Sequence, residues 1–279
     1  MVRKVESIVG GNVQYDGAGV KLVRVIGRGD VKKFDPFLLL DAFDADDPAD
    51  YEKGFPWHPH RGIETVTYLI EGDIEHGDSL GNKGSILNGD CQWMTAGSGI
   101  IHQEMPQATE RLLGAQLWIN LPQKEKMCPP AYRDITAAKI PVVSDENSTV
   151  KIISGSYKGT SGKFAGDYVK TLYLDVEIKA LASWSLAVDP KNTVFCYLVS
   201  GSGVLDESGQ EIFSHRAALL VDGDRIHFTA GDAGLRLLLF SALPLNEPVA
   251  WGGPIVMNTR EELALAFREL DEGTFIKGH

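Results

Sequence analysis

Two stretches far apart in the chain spell nearly the same strand: Tyr-Leu-Ile-Glu-Gly at residues 68–72 and Tyr-Leu-Val-Ser-Gly at 197–201. A second pair, the Thr-Ala-Gly of 95–97 and that of 229–231, follows in the same order. Self-similarity at a long period marks a repeated supersecondary unit, so the chain reads as two copies of one β-unit. Its other segments agree. "QLWINLP", "VKIISGSYKG", "KTLYLDVEI" and "LRLLLFSA" are short, rich in β-branched and aromatic residues, and bounded by Gly, Asp, Asn or Pro, the pattern of strands in an all-β sandwich or barrel. The expected division is a barrel over 1–134, a polar, Pro-containing connection over 135–150, and a second barrel over 151–279. One helix interrupts the pattern. In "NTREELALAFRELDEG", Thr259 stands three residues before Glu262 as in a capping box, Leu263, Phe267 and Leu270 recur at helical spacing, and Gly273 supplies the stop.

Composition narrows the function classes. With 279 residues, 43% of them hydrophobic, the chain can bury a core without staples. Its three cysteines, Cys91, Cys128 and Cys196, cannot all pair within one chain and show no C-x-x-C spacing; free thiols in a reducing compartment are expected. The first residues lack the apolar core of a signal peptide, and no run approaches 18 apolar residues, so an intracellular, soluble protein is expected. A net charge of −11 without a Lys/Arg cluster argues against direct binding to nucleic acid.

The chemistry gathers in the first copy. Side chains at i and i+2 of an extended strand share a face, so His58 and His60 aim their imidazoles the same way while Pro59 points elsewhere. His102 and Glu104 in "GIIHQEM" repeat the arrangement. On neighbouring strands, three imidazoles and a carboxylate form a three-nitrogen, one-oxygen set suited to a first-row divalent metal. Carrying the two repeat spacings forward sets Ala187, Asp189 and Thr193 at the places of His58, His60 and Glu64, and Arg236 and Leu238 at those of His102 and Glu104. One metal per chain follows. The remaining histidines, His76, His215, His227 and His279, read as ordinary core or surface residues, and Trp93 and Met94, next to Gln92, read as barrel core.

"G-x3-HPH-x3-E" at 54–64 followed by "GD-x4-MTAG-x4-H" at 89–102 resembles the paired motifs of the cupin superfamily. The longer strings "DPFLLLDAFDADDPADYEKGFPWHPHRGIETVTYLIEG" and "GDCQWMTAGSGIIHQEMP" resemble the pirin family in particular. The resemblance implies a bicupin of two jelly-roll barrels packed face to face. It implies iron(II), Fe(2+), or another first-row divalent metal, held in the N-terminal barrel by His58, His60, His102 and Glu104. Cupins in general take their carboxylate from the position of Glu64; the pirin pattern uses Glu104 and leaves Glu64 to orient a histidine ring. The activity implied is a flavonol (quercetin) 2,3-dioxygenase, in which Glu104 acts as base, O2 is consumed and carbon monoxide released. The alternative implied is an iron-dependent redox sensor that binds transcription factors or metabolic enzymes, in the cytoplasm or, in a eukaryote, the nucleus. A zinc hydrolase fits the imidazoles, but Glu104 then occupies the position such chemistry needs open.

Overall fold

The structure, a computed structural model, describes residues 1–205 and 209–278; His279 lies outside them. The chain forms two compact units, each drawn from three separate segments. One comprises residues 12–31, 37–137 and 245–279; the other comprises 1–11, 32–36 and 138–244. Sheet edges explain the exchange of ends. Strand Lys4–Val9 pairs with Arg216–Val221, and the buried Arg3 guanidinium donates to the carbonyls of Leu220, Asp189, Pro190 and Asn192. An edge strand otherwise exposes unpaired backbone groups, and here the N-terminus covers one. Residues 245–279 return to the first unit.

That first unit holds a seven-stranded antiparallel sheet in the order Ala131–Ile135, Cys91–Thr95, Ile63–Glu71, Leu112–Asn120, Phe37–Ala45, Val20–Ile26, Asn12–Asp16. It also holds a four-stranded sheet, Phe55–His60, Ile100–Pro106, Ile74–Asp78, Lys83–Ile86. Alternation decides what faces inward. Along Ile63–Glu71, Ile63 joins an apolar cluster with Met94 and Ile100, and Leu69 joins another with Leu22 and Phe43. Thr67 lies between them on the same face. Met94 is therefore core, and Trp93, fully buried, points to the opposite face of its strand.

The second unit repeats this strand order as Lys4–Val9, Arg216–Val221, Thr193–Val204, Arg225–Ala242, Thr171–Ile178, Ser148–Ser154, Val142–Ser144. Pairing confirms one repeat match and overturns the other. Tyr68 lies opposite Cys91 and Ala115, and Tyr197 opposite Ala217 and Leu238, so these two tyrosines are structural equivalents. Thr95, however, ends Cys91–Thr95, whose counterpart is Arg216–Val221, whereas Thr229 sits inside Arg225–Ala242. The Thr-Ala-Gly match is a coincidence of small and turn-forming residues, and Arg236 and Leu238 are not the counterparts of His102 and Glu104. The start of Arg225–Ala242 is: it pairs with Ser183–Ala187 as Ile100–Pro106 pairs with Phe55–His60. Its inward residues are Ile226 and Phe228.

None of the three cysteines is in a disulfide, and all three are buried. The helix spans Arg260–Asp271, with Thr259 and Glu262 closing the capping box and Gly273 at φ +70° just past its end, where a left-handed residue ends a helix. Its packed stripe is Leu263, Ala266 and Leu270; Phe267, assigned to that face by spacing, is 39% exposed. Among the described residues no helix is long and apolar enough to cross a membrane.

Candidate metal centre

His58 lies directly opposite His102 on the antiparallel strands Phe55–His60 and Ile100–Pro106. Opposed residues share a face, and His60 joins them two residues on. The three rings have centroids 4.3, 4.8 and 5.0 Å apart, and one ligand atom from each lies within 4.8 Å of the others. Two tautomers are fixed from outside. Nδ1 of His58 is 2.8 Å from the Pro56 carbonyl, and Nδ1 of His60 is 3.0 Å from that of Pro254. A carbonyl only accepts, so both rings carry their proton on Nδ1 and turn an Nε2 lone pair inward.

Those two Nε2 atoms are 3.1 Å apart, and Nε2 of His102 is buried with no hydrogen-bond partner. Facing lone pairs require something positive between them. A proton serves poorly, since burial, reinforced by His58, pushes His60 down to about 3. Burial, followed by His60, His58 and His76, likewise lowers His102 well below the usual imidazole range. Inward lone pairs on His58 and His60, beside a buried His102 that resists protonation, fit a first-row divalent cation.

Glu104 stands apart from this trio, outside the group of mutually close ligand atoms. Pairing slips between His102 and Glu104, and such an irregularity re-aims a side chain. Both its carboxylate oxygens accept from Nε2 of Gln116 at 2.9 Å, and Oε1 also accepts from the Thr67 hydroxyl at 3.1 Å. The Gln116 amide is itself oriented by Trp118, whose Nε1 donates to its Oε1 at 3.1 Å. Glu64 alternates to the face opposite Thr67, and its Oε1 accepts from Thr95 Oγ1 at 2.7 Å. His76 is more involved than its sequence suggested. It lies opposite Glu104, stacks on Tyr132 at 4.7 Å and shares a 2.5 Å hydrogen bond with the Tyr132 hydroxyl.

Gln116, Thr67, Trp118 and Pro254 went unrecognised in the sequence. The one available signal was the i, i+2 pair of Gln116 and Trp118 in "QLWINLP", which interrupts an otherwise apolar strand. A cavity of about 640 Å³ opens beside the imidazoles, walled by Trp118, Trp251 and Phe55 and reaching His58, His60 and Glu104. The Trp118 ring lies 5.0 Å from His60 and 5.9 Å from Trp251.

Comparison with known proteins agrees with this architecture. Residues 19–119 match the pirin family model, and residues 173–276 match that of the pirin C-terminal cupin domain. A pirin-like protein of Caulobacter vibrioides is 43% identical, covering 98% of this chain and 99% of its own. The crystal structure of a quercetin 2,3-dioxygenase from Acinetobacter baumannii superposes with a TM-score of 0.90 at 31% identity, covering 99% of both chains. A bacterial pirin of Escherichia coli, solved in complex with nickel(II), shares the fold at TM-score 0.67 and 22% identity, over 85% of this chain and 98% of that one. With two cupin domains, and similarity to its relatives running from end to end, this chain belongs to the pirin family.

Proposed function

We propose that the protein is an iron(II)-dependent dioxygenase of planar, flavonol-like substrates, cleaving the central ring with O2 and releasing carbon monoxide. The carrying observation is the cavity: its volume falls in the range of small-molecule sites, Phe55, Trp118 and Trp251 give it aromatic walls beside charged ones from Arg24, Arg28 and Asp41, and it reaches His58, His60 and Glu104. The similarity to a quercetin 2,3-dioxygenase supports the same substrate class. His58, His60 and His102 hold the ion. When bound, it supplies Lewis acidity toward a substrate hydroxyl and a route for electrons to O2. Trp118 and Trp251 bind the flat rings by stacking. Glu104 takes the proton of the flavonol 3-hydroxyl, with Gln116 and Thr67 aiming its carboxylate. To act as a fourth ligand as well, Glu104 must turn its carboxylate toward the three imidazoles, from whose group it now stands apart.

The test is turnover of quercetin, followed by oxygen uptake and carbon monoxide release, in wild type and Glu104→Gln at matched iron loading. The amide keeps the size and removes the basicity, so turnover falls by roughly 10²- to 10⁴-fold. Equal turnover by the two proteins overturns the base assignment. Wild type releasing no more carbon monoxide than free iron overturns the dioxygenase reading.

A further inference from the structure

His60 owes its orientation to a carbonyl 194 residues away. Pro254 sits in the turn of a small hairpin, Ala250–Gly252 with Ile255–Met257, which contributes Trp251, Gly253 and Pro254 to the cavity wall. The hairpin is seated on the residues that immediately follow His60. The Val256 amide donates to the Arg61 carbonyl at 3.1 Å. Gly62 has φ +77°, and a Cβ there would stand 2.0 Å from the Val256 oxygen, so only glycine permits the approach.

Lys126 closes the junction. Its ammonium is buried and donates to the carbonyls of Gly62 at 2.7 Å and Val256 at 2.9 Å and to Oδ1 of Asn120 at 2.5 Å. An ammonium has three N–H donors and no acceptor, and all three are used. Every partner is neutral. Burial pushes the ammonium down to about 7, only partly opposed by Glu247 and Glu262, so seating it here is costly, and the position it secures is the seat of the hairpin beside His60.

We propose that the hairpin Ala250–Met257 is a component of the metal centre and that Lys126 is its positioning residue. By tying Val256 to Gly62 it keeps the Pro254 carbonyl on Nδ1 of His60, which holds His60 Nε2 unprotonated and facing His58 and His102. Such outer partners fix a ligating ring's tautomer and are worth about 10- to 100-fold in metal affinity. The inference rests on the metal-binding half of the proposed function and is independent of flavonol oxidation.

The experiment compares wild type, Lys126→Met and Pro254→Gly. In metal-free protein, long-range ¹H–¹⁵N NMR reads the tautomers of His60 and His58; iron(II) affinity is then measured anaerobically by competition with a chromophoric chelator. Both variants are expected to populate the Nε2–H form of His60 and to bind iron(II) about 10- to 100-fold more weakly, with Pro254→Gly the milder. His58, tied to Pro56 within its own strand, stays in its Nδ1–H form and serves as the internal control. His60 unchanged in both variants overturns the proposal, as does a change at His58 and His60 together, which would report general loosening. Should Lys126→Met fail to fold, Pro254→Gly decides alone, because it leaves the lysine and its acceptors in place. Wild type failing to bind iron(II) overturns both the metal reading and the hairpin's part in it, whereas a failed flavonol assay touches neither.

Discussion

Three side chains on adjacent strands occupy equivalent places in the two cupin units: Thr67, Gln92 and Gln116 in one, Cys196, Ala218 and Leu239 in the other. In the first unit this row is polar, and two of its members hold Glu104. In the second it is fully buried and apolar, continuous with Trp184, Ile226 and Phe228. Those three fill the strands that carry histidines in the first unit. The strand order is the same in both. A single row of side chains, together with the two strands facing it, decides whether a cupin interior is a reaction site or a packed core, and the fold survives either choice.

The largest expected effect tests that contrast through metal content. One iron(II) per chain is expected, and His102→Ala, which removes the buried, unpartnered Nε2, should abolish it. His215→Ala and His227→Ala should leave it intact, since His227 lies on the strand of Ile226 and Phe228 but faces away from them, bonded to Ser185. Elemental analysis finding two tightly held ions per chain would break the comparison.

How much of this contrast is legible in the sequence depends on how local its causes are. His58 and His60 are readable because strand parity alone sends them to one face, His102 is tied to them only by the recurring i, i+2 pattern and the motif resemblance, and the capping box of the helix is readable because its two residues lie within one turn. The surroundings of Glu104 are not readable: a slip in strand pairing re-aims it, and its partner Gln116 comes from another strand. The exchange of chain ends is equally hidden, because whether Lys4–Val9 covers a distant sheet edge depends on a long-range pairing that its own pattern does not specify. The Thr-Ala-Gly coincidence misled for a related reason, since small and turn-forming residues recur in any β-protein whatever their register.

The next effect concerns acid stability of the metal-free protein. An imidazole of ordinary value near 6.5 is held at about 3 in folded His60 by burial and by His58. Between those values the unfolded chain takes up a proton that the folded one refuses, so stability is fully present above about pH 6.5 and is lost as pH falls toward 3. His60→Gln should flatten that part of the stability-versus-pH curve, measured by chemical denaturation. Loading wild type with iron(II) should push the loss to lower pH, because a bound ion competes with the proton for Nε2. The second unit carries no histidine at the equivalent inward positions and should supply no matching imidazole contribution to the slope. A slope that persists unchanged in His60→Gln would assign it to other groups.

The smallest effect comes from exchanging the two rows one residue at a time. Gln116→Leu puts the second unit's residue into the first and takes from the buried Glu104 carboxylate the donor that reaches both its oxygens, leaving it Thr67. Hydrogen bonds to charged groups are worth about 1.5–3 kcal/mol, and a loss of that order is expected in denaturant unfolding. Cys196→Thr makes the reverse exchange at nearly constant volume. Its hydroxyl would face Ala218 and Leu239, which offer no side-chain partner and only the Ala218 backbone N–H that Cys196 already meets, and a buried hydroxyl whose own donor is left unsatisfied costs about 1–3 kcal/mol. The two substitutions are therefore expected to destabilise in the same direction for opposite reasons, one by removing a polar group from a polar row and the other by adding one to an apolar row. If Gln116→Leu were neutral, the polar row would not be what holds Glu104. If Cys196→Thr were neutral, the second interior would tolerate polarity, and the packed-core side of the comparison would fail.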